Sequence, residues 1–481
     1  MIARMASDST TSTLLDDSDE TRDEFTLDPL ACPGVFYPTL AADGVLSRIR
    51  TPGGLLTARQ CRLLAAIAGT YAGGRAAITN RANIQLRALR DRLPDVVLRE
   101  MQREGLASHE PTIDHLRNVM ASPLAGLDPG AHLDTRPIVE AFVAHLAAHP
   151  HLAALPAKFS VGLDGGERAS IAGFPNDVLL RVVQTDGAVR LRAIVRAGAD
   201  EDDRIDLGLS IIDADAVLFL AALAAWYVEA LPADGSQPRL RQLLAERSVE
   251  DLRTLLLARV PTLVVDAPVG RVLPPVVGGA PIGVQAQRGD GFVTIGLAPR
   301  LEGWSSTQLR ALAAVAEQHG SGSLRLSPWR TVSIPDVPLD AVDAIHEALA
   351  VAGLSARAPS LVDGIVACAG SAGCASGTVD TIRDAARLAL LLEGRGGEPM
   401  NVHFSGCAKC CAQRRQADVT LIGVEDHADT YDVYMRDTAA PLPGRLRFAA
   451  VPAADAIGLV ERLCVEDRRA AGQGDGAFST S

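Results

Sequence analysis

Basic residues are in deficit. Across 481 residues, 46 Lys and Arg face 58 Asp and Glu, a formal charge of −12. A chain of that sign has no bulk attraction for nucleic acid or anionic membranes, which select strongly basic faces, so any anionic ligand must be gripped by a local cluster of cations. Long apolar runs are also lacking. The most apolar, residues 216–228, is stopped by Asp215 and Glu229 and falls short of the roughly 20 residues that span a bilayer, so no transmembrane helix is expected. The N-terminus has no apolar core of the kind a secretory signal needs, being a Ser/Thr/Asp/Glu tract through Asp28. A cytoplasmic protein is the expectation. In that reducing compartment the eight cysteines are read as free thiols or metal ligands rather than disulfides. No GxGxxG stands between a strand and a helix, which argues against a built-in nicotinamide domain and for electrons supplied by a separate donor or reductase. What is present, 48% hydrophobic and 22% charged residues, is a soluble globular composition, and the length argues for two to four domains.

Ala/Leu-rich helical stretches alternate with short Val/Ile/Arg strands, the mark of a mixed α and β architecture. The chain also repeats itself. Residues 60–86 (QCRLLAAIAGTYAGGRAAITNRANIQL) align without gaps on residues 308–334 (QLRALAAVAEQHGSGSLRLSPWRTVSI). The matches include Gln60/Gln308, Arg62/Arg310, Leu64/Leu312, Ala65/Ala313, Ala68/Ala316 and Gly74/Gly322. Each copy reads as a helix, a glycine turn and a strand, and a period this long means two related halves rather than a solenoid. Over residues 78–87 a strand is expected, with Ile78, Asn80, Ala82, Ile84 and Leu86 on one face and Thr79, Arg81, Asn83, Gln85 and Arg87 on the other. Arg48 and Arg50 share a face by the same rule. Two such strands side by side would make a floor for a multiply charged anion.

The cysteines are the strongest chemical signal. Cys61 and Cys464 sit in helical apolar surroundings and read as core. Cys368 and Cys374 (ACAGSAGCASG) lie in a Gly/Ala/Ser loop, and Cys407, Cys410 and Cys411 follow in HFSGCAKCCAQ. Small residues around thiolates let an inorganic cluster approach the backbone, whose N–H groups then bond its sulfides. Zinc is the rival, since four thiolates satisfy it too, but the gap between Cys368 and Cys374 is longer than zinc sites prefer.

The pattern Cys368-x5-Cys374 followed by Cys407-x3-Cys411, within FSGCAKCCAQ and leading to DVTLIG, resembles the 4Fe-4S signature of the siroheme-type sulfite and nitrite reductase superfamily. TNRANIQL is similar to the stretch that supplies that superfamily's anion-binding arginine, here Arg81, and further matches are Arg117 in LRNVMASP and Lys158 in LPAKFSVG. The resemblance implies an α+β fold of two pseudo-symmetric halves, each joining a ferredoxin-like subdomain to a larger mixed subdomain. The implied division is a disordered acidic tail at 1–28, ferredoxin-like half-domains at 29–95 and 275–340, substrate-binding and cluster-binding α/β subdomains at 96–235 and 341–467, a helical linker at 236–274, and a flexible tail at 468–481. It implies Cys368, Cys374, Cys407 and Cys411 as ligands of a 4Fe-4S cluster, with Cys410 a bystander. Arg81, Arg117 and Lys158 are the implied catalytic residues, and Arg48, Arg50 and Asn83 join them in substrate binding.

Two departures steer the expectation within the superfamily. Ser160 stands where the reductases commonly carry a second lysine. ACPGVFYPTLAADGVLSRIRTPGG is similar to the opening of the precorrin-3B synthase branch, which lacks bound siroheme. That branch implies an O2-dependent monooxygenase acting on a tetrapyrrole, precorrin-3A, in cobalamin biosynthesis, with a mononuclear non-haem iron besides the cluster. Its ligands are not legible; His109, His115 and His403 are the candidates. The alternative is a sulfite or nitrite reductase with siroheme and a cluster, a cluster cysteine, Cys411, bridging the two. A third reading is a zinc-stabilised anion-binding protein.

Overall fold

The computed structural model describes residues 33–471 apart from 186, 199–202, 273–277, 300, 302, 356–359 and 396–398. The tail read at 1–28 lies outside the described residues. So do residues 472–481 of the other tail, into which the last helix, Ala453–Ala471, extends.

The sequence repeat is a structural one. In the first half, Thr57 accepts from Gln60 N while the Gln60 side chain accepts from Thr57 N, a capping box that starts the helix Ala58–Tyr71. In the second, Ser305 and Gln308 do the same for Ser306–His319. The two helices pack through their shared small and branched residues, Leu64, Ala65 and Ala68 against Leu312, Ala313 and Ala316, all buried, and the Cys61 thiol reaches the Leu309 carbonyl at 3.3 Å. Each helix ends at a glycine with positive φ, 80° at Gly74 and 72° at Gly322, where a side chain would be strained. Both glycine N–H groups return to an alanine carbonyl, Ala68 and Ala316, at 2.8 Å.

Each half also lends a strand to the other. The first five-stranded sheet runs Thr39–Ala41, Gly44–Ile49, Ile84–Leu89, Arg75–Ile78 and then Trp304–Ser305 from the second half. The second runs Gly283–Ala286, Phe292–Leu297, Val332–Pro338, Ser323–Leu326 and then Leu55–Thr57 from the first. Ala58 N bonds Gly322 O and Ser306 N bonds Gly74 O, both at 2.8 Å. One hydrophobic core therefore spans both sheets and both helices.

The larger subdomains repeat a pattern too. In one, Val119–Ala121, Val161–Asp164 and Val178–Thr185 are parallel neighbours, followed by antiparallel Ala188–Arg196 and Arg204–Ile211. In the other, Ile365–Ala367, Val402–Ser405 and Val419–Gly423 are parallel, followed by antiparallel Thr430–Met435 and Arg445–Pro452. The apolar run at 216–228 falls within the helix Ala216–Ala230, which buries Phe219, Leu223 and Tyr227 against the first of these sheets. Among the described residues no helix is long and apolar enough to cross a membrane. The helices Leu240–Glu246 and Val249–Arg259 bury Leu243, Leu252 and Leu256 in the same core. The expected α+β fold of two duplicated halves is the observed one.

One local expectation fails. The strand read over 78–87 is two strands, Arg75–Ile78 and Ile84–Leu89, interrupted by a turn. Thr79 N bonds Asn83 O at 2.8 Å and Ala82 N bonds Thr79 O at 3.0 Å, which puts Ala82 at φ 57°. Alternation persists on either side of the turn, so periodicity alone could not reveal it.

Candidate functional site

The halves and the larger subdomains meet around a cavity of about 1090 Å³, at the top of the range for pockets that take drug-sized molecules. Its lining holds nine arginines, one lysine and four cysteines and no Asp or Glu. Ten of the acidic chain's 46 Lys and Arg thus line one surface.

The floor comes from the first half. The strand Gly44–Ile49 and the residue after it present Arg48 and Arg50, and Ile84–Leu89 presents Gln85 and Arg87; Arg48 Nη2 donates to Gln85 Oε1 at 3.3 Å. Arg81 projects from the turn at 79–83, donating to Pro175 O at 2.9 Å and Asn176 Oδ1 at 3.1 Å. Burial, helped by Arg239, Arg196 and Arg48 and opposed by Asp177, pushes the Arg81 guanidinium down to about 10. It remains charged at neutral pH, and the direction records chiefly its burial. Asn83 is a joint rather than a free contact: its Oδ1 accepts from Thr51 N and its Nδ2 donates to Asn118 Oδ1, each at 3.0 Å. Lys158 lines the cavity and is exposed.

Arg117 is not brought there. It is buried at 8% exposure, paired with Asp114 Oδ1 at 3.1 Å and donating to Gly105 O at 2.6 Å, while its neighbour Asn118 takes the place on the cavity wall. The carboxylate three residues earlier captures the guanidinium.

Ser160 is buried and tied into a polar network rather than bordering the cavity. Its hydroxyl donates to Asp177 Oδ2 at 3.0 Å, and Asp177 Oδ1 receives Arg239 Nη2 at 2.7 Å. Arg239, from the far end of the subdomain, lines the cavity with Arg241 and Arg196, and its buried Nε has no partner. Sequence reasoning missed these three arginines, as it did Arg330 and Arg414, because they lie far apart along the chain and only tertiary folding gathers them.

The opposite wall carries the cysteines. Cys368, Cys374, Cys407 and Cys411 all border the cavity, whereas Cys410 is buried at 1% exposure and turned away from it, with φ 46°. Burial pushes the Cys411 thiol up, Arg414 opposes, and Cys407, Cys368 and Cys374 add to the rise. They border a common space, and among the described residues no three His, Cys, Asp or Glu side chains are grouped to hold a single ion. Four thiols around one space are the donor set that a cluster with four iron corners takes.

The loops fit such a guest. Gly370 N and Gly406 N donate to Cys368 Sγ at 3.3 and 3.1 Å. A Cβ on Gly377 would lie 2.5 Å from the Gly370 carbonyl carbon, and one on Gly406 3.1 Å from Gly377 Cα. Glycine lets the two cysteine loops lie back to back. Each loop is then pinned by a guanidinium from a different half, Arg87 Nη2 on the Gly373 carbonyl and Arg330 Nη2 on the Ala412 carbonyl.

The candidates for a mononuclear iron are not assembled. None of His109, His115 and His403 borders the cavity. His115 Nε2 meets the Leu155 carbonyl at 3.2 Å, and His403 is fully buried with neither ring nitrogen partnered.

Comparison with known proteins agrees with this geometry. The profile of the nitrite/sulfite reductase ferredoxin-like half domain matches residues 40–103 and 285–352, and that of the nitrite and sulphite reductase 4Fe-4S domain matches 112–262. The latter is the cysteine-free copy of the larger subdomain. The chloroplastic ferredoxin–nitrite reductase of Zea mays is 28% identical over 396 residues, covering 79% of this chain and 69% of that protein. The ferredoxin–nitrite reductase of Leptolyngbya laminosa is 28% identical over 421 residues, 82% of this chain and 80% of that one. A ferredoxin sulfite reductase of Mycolicibacterium paratuberculosis is 27% identical over 390 residues, 79% and 69%. The solved Mycobacterium tuberculosis NirA protein superposes with TM-score 0.71 at 22% identity, covering 90% of this chain and 82% of that chain, a likeness of fold. These relatives overturn the expectation of an O2-dependent precorrin-3B synthase. Of its two supports, the N-terminal stretch builds part of the cavity floor, and Ser160 is buried with its hydroxyl on Asp177.

Proposed function

The chain belongs to the nitrite/sulfite reductase superfamily, and from that premise we propose that it is a siroheme- and 4Fe-4S-dependent reductase of nitrite or sulfite, supplied with electrons by a ferredoxin-type donor. One observation carries the reading: a single cavity with ten cations on its walls, four thiols on one of them and no carboxylate. Siroheme is a macrocycle edged with carboxylates, and the donor set matches it in sign while the glycine-lined thiol wall accommodates a cluster. When bound, the cluster would relay the donor's electrons and siroheme would supply the iron that takes the oxyanion.

The protein's own residues do the rest. Arg48, Arg50, Arg196 and Arg239 neutralise the macrocycle's carboxylates, each well-sheltered charge-assisted bond contributing about 1.5–3 kcal/mol. Arg81 and Lys158 are the cations proposed to meet the small oxyanion and to stabilise charge that develops on its oxygens. Cys368, Cys374, Cys407 and Cys411 are the proposed cluster ligands. Arg117 is assigned a supporting role, through Asp114 and the wall residue Asn118.

Anaerobic purification with iron, sulfide and tetrapyrrole analysis tests the assignment, followed by assay of both oxyanions with reduced ferredoxin. Porphyrinoid absorption bands above a broad cluster absorbance, with turnover of nitrite or sulfite, are expected. A colourless protein, or a loaded one that reduces neither oxyanion, would refute it.

A further inference from the structure

Arg87 and Arg330 perform the same mechanical task in the two halves, yet their electrostatic circumstances differ. Arg87 is neutralised: besides the Gly373 carbonyl it holds Asp43 through Nε and Nη2 at 2.9 and 2.8 Å. Arg330 has no carboxylate partner among the described residues, and its side chain is satisfied by the Ala412 carbonyl beside Cys411. It is held there by a costly backbone. Arg330 adopts φ 69°, a conformation that arginine seldom takes. The turn is locked by the Ser327 and Thr331 hydroxyls at 2.6 Å, by Thr331 N on Ser327 Oγ at 3.1 Å and by Trp304 Nε1 on the Arg330 carbonyl at 3.4 Å.

We propose that Arg330 is the counter-charge of the cluster, raising its reduction potential, while Arg87 only holds a loop. The inference rests on the functional reading above. Reduction adds one electron from the donor to the cluster and takes no proton from Arg330; a fixed positive charge in a sheltered site stabilises the more negative, reduced form. Burial and Arg415 push the guanidinium down to about 10 while Cys368 opposes, so it keeps its charge in the working range and feels the cluster's own sulfur.

The test is an EPR-monitored redox titration of the full-length protein, after iron and sulfide analysis has shown that each variant is loaded. Arg330→Gln should lower the equilibrium constant for cluster reduction about tenfold, about 59 mV for a one-electron couple. Arg330→Lys should stay within about threefold of wild type, and so should Arg87→Gln. A loaded Arg330→Gln protein that titrates like wild type overturns the proposal, as does an Arg87→Gln protein that falls equally far. Should Arg330→Gln not load, Arg330→Lys decides: a potential near wild type upholds the role, whereas a fallen one, or failure to load, leaves Arg330 a loop clamp and overturns it. A wild-type chain that takes up no cluster would remove the functional reading and this role with it, a result distinguishable from a loaded protein whose potential ignores Arg330.

Discussion

The turns at 79–83 and 327–331 share a backbone and present different chemistry. In each, the first residue's N–H bonds the fifth residue's carbonyl, at 2.8 and 3.0 Å, and the fourth residue's N–H returns to the first residue's carbonyl, at 3.0 and 2.9 Å. In each the fourth residue has positive φ, Ala82 and Arg330. The third residue is Arg81 in one copy and Trp329 in the other. Both reach the same neighbouring segment: Arg81 bonds Pro175 and Asn176, and the Trp329 ring meets Phe174 edge-on at 5.0 Å. Duplication kept the scaffold and freed the side chains, so one copy offers its cation to the arginine-lined side of the cavity and the other to the thiol wall.

The most severe test of this division is at the thiols. Cys374→Ser, in the loop pinned by the first half, and Cys411→Ser, in the loop pinned by the second, should each abolish cluster uptake, and Cys410→Ser should retain it; iron content and visible absorbance read the outcome. A cluster retained in Cys374→Ser and lost in Cys410→Ser would reverse the ligand assignment. Next is the third position of the turn. Arg81→Ala should weaken siroheme binding roughly ten- to hundredfold, the loss of one sheltered charge-assisted contact. Trp329→Ala should change it by less than about threefold, and absorbance titration of siroheme into apoprotein separates the two. Equal losses would mean that the copies have not diverged.

A smaller effect comes from what the second turn faces. Burial, with Arg330 nearby, pushes the His403 imidazole down to about 3 from its ordinary 6.5. The fold holds it neutral while the unfolded chain protonates, so this residue costs nothing above pH 6.5 and an increasing amount as pH falls towards 3. Between pH 7 and pH 5 the loss should be about 2 kcal/mol, visible in urea midpoints, and His403→Leu should remove it. Smallest are the caps. Thr57→Ala and Ser305→Ala should each cost about 1 kcal/mol, and a marked inequality in chemical denaturation would show that one helix depends on its start more than the other.

Features encoded by local pattern were legible. The repeat follows from spacing, and the glycine-rich cysteine loops and the shared face of Arg48 and Arg50 follow from spacing and alternation and border the cavity. The turn at 79–83 was hidden because a short break in a strand can preserve alternation on both sides. Arg117 was misplaced because nothing local shows that Asp114 will take it. Arg196, Arg239 and Arg241 left no signal, since what unites them is where the subdomain folds. The choice between branches rested on Ser160 and the N-terminal stretch, and the Ser160 hydroxyl is taken up by Asp177.

The reciprocal loan of edge strands bears on how the molecule is made. Leu55–Thr57 emerges from the ribosome early, yet its pairing partner, Ser323–Leu326, is synthesised only after the whole intervening subdomain. Until then Leu55–Thr57 is unpaired, and the first sheet, before Trp304–Ser305 is made, displays a bare edge at Arg75–Ile78 that could pair with another chain. A single ancestral copy would have faced the same shortage permanently, and a second identical chain, trading strands about a twofold axis, would have met it.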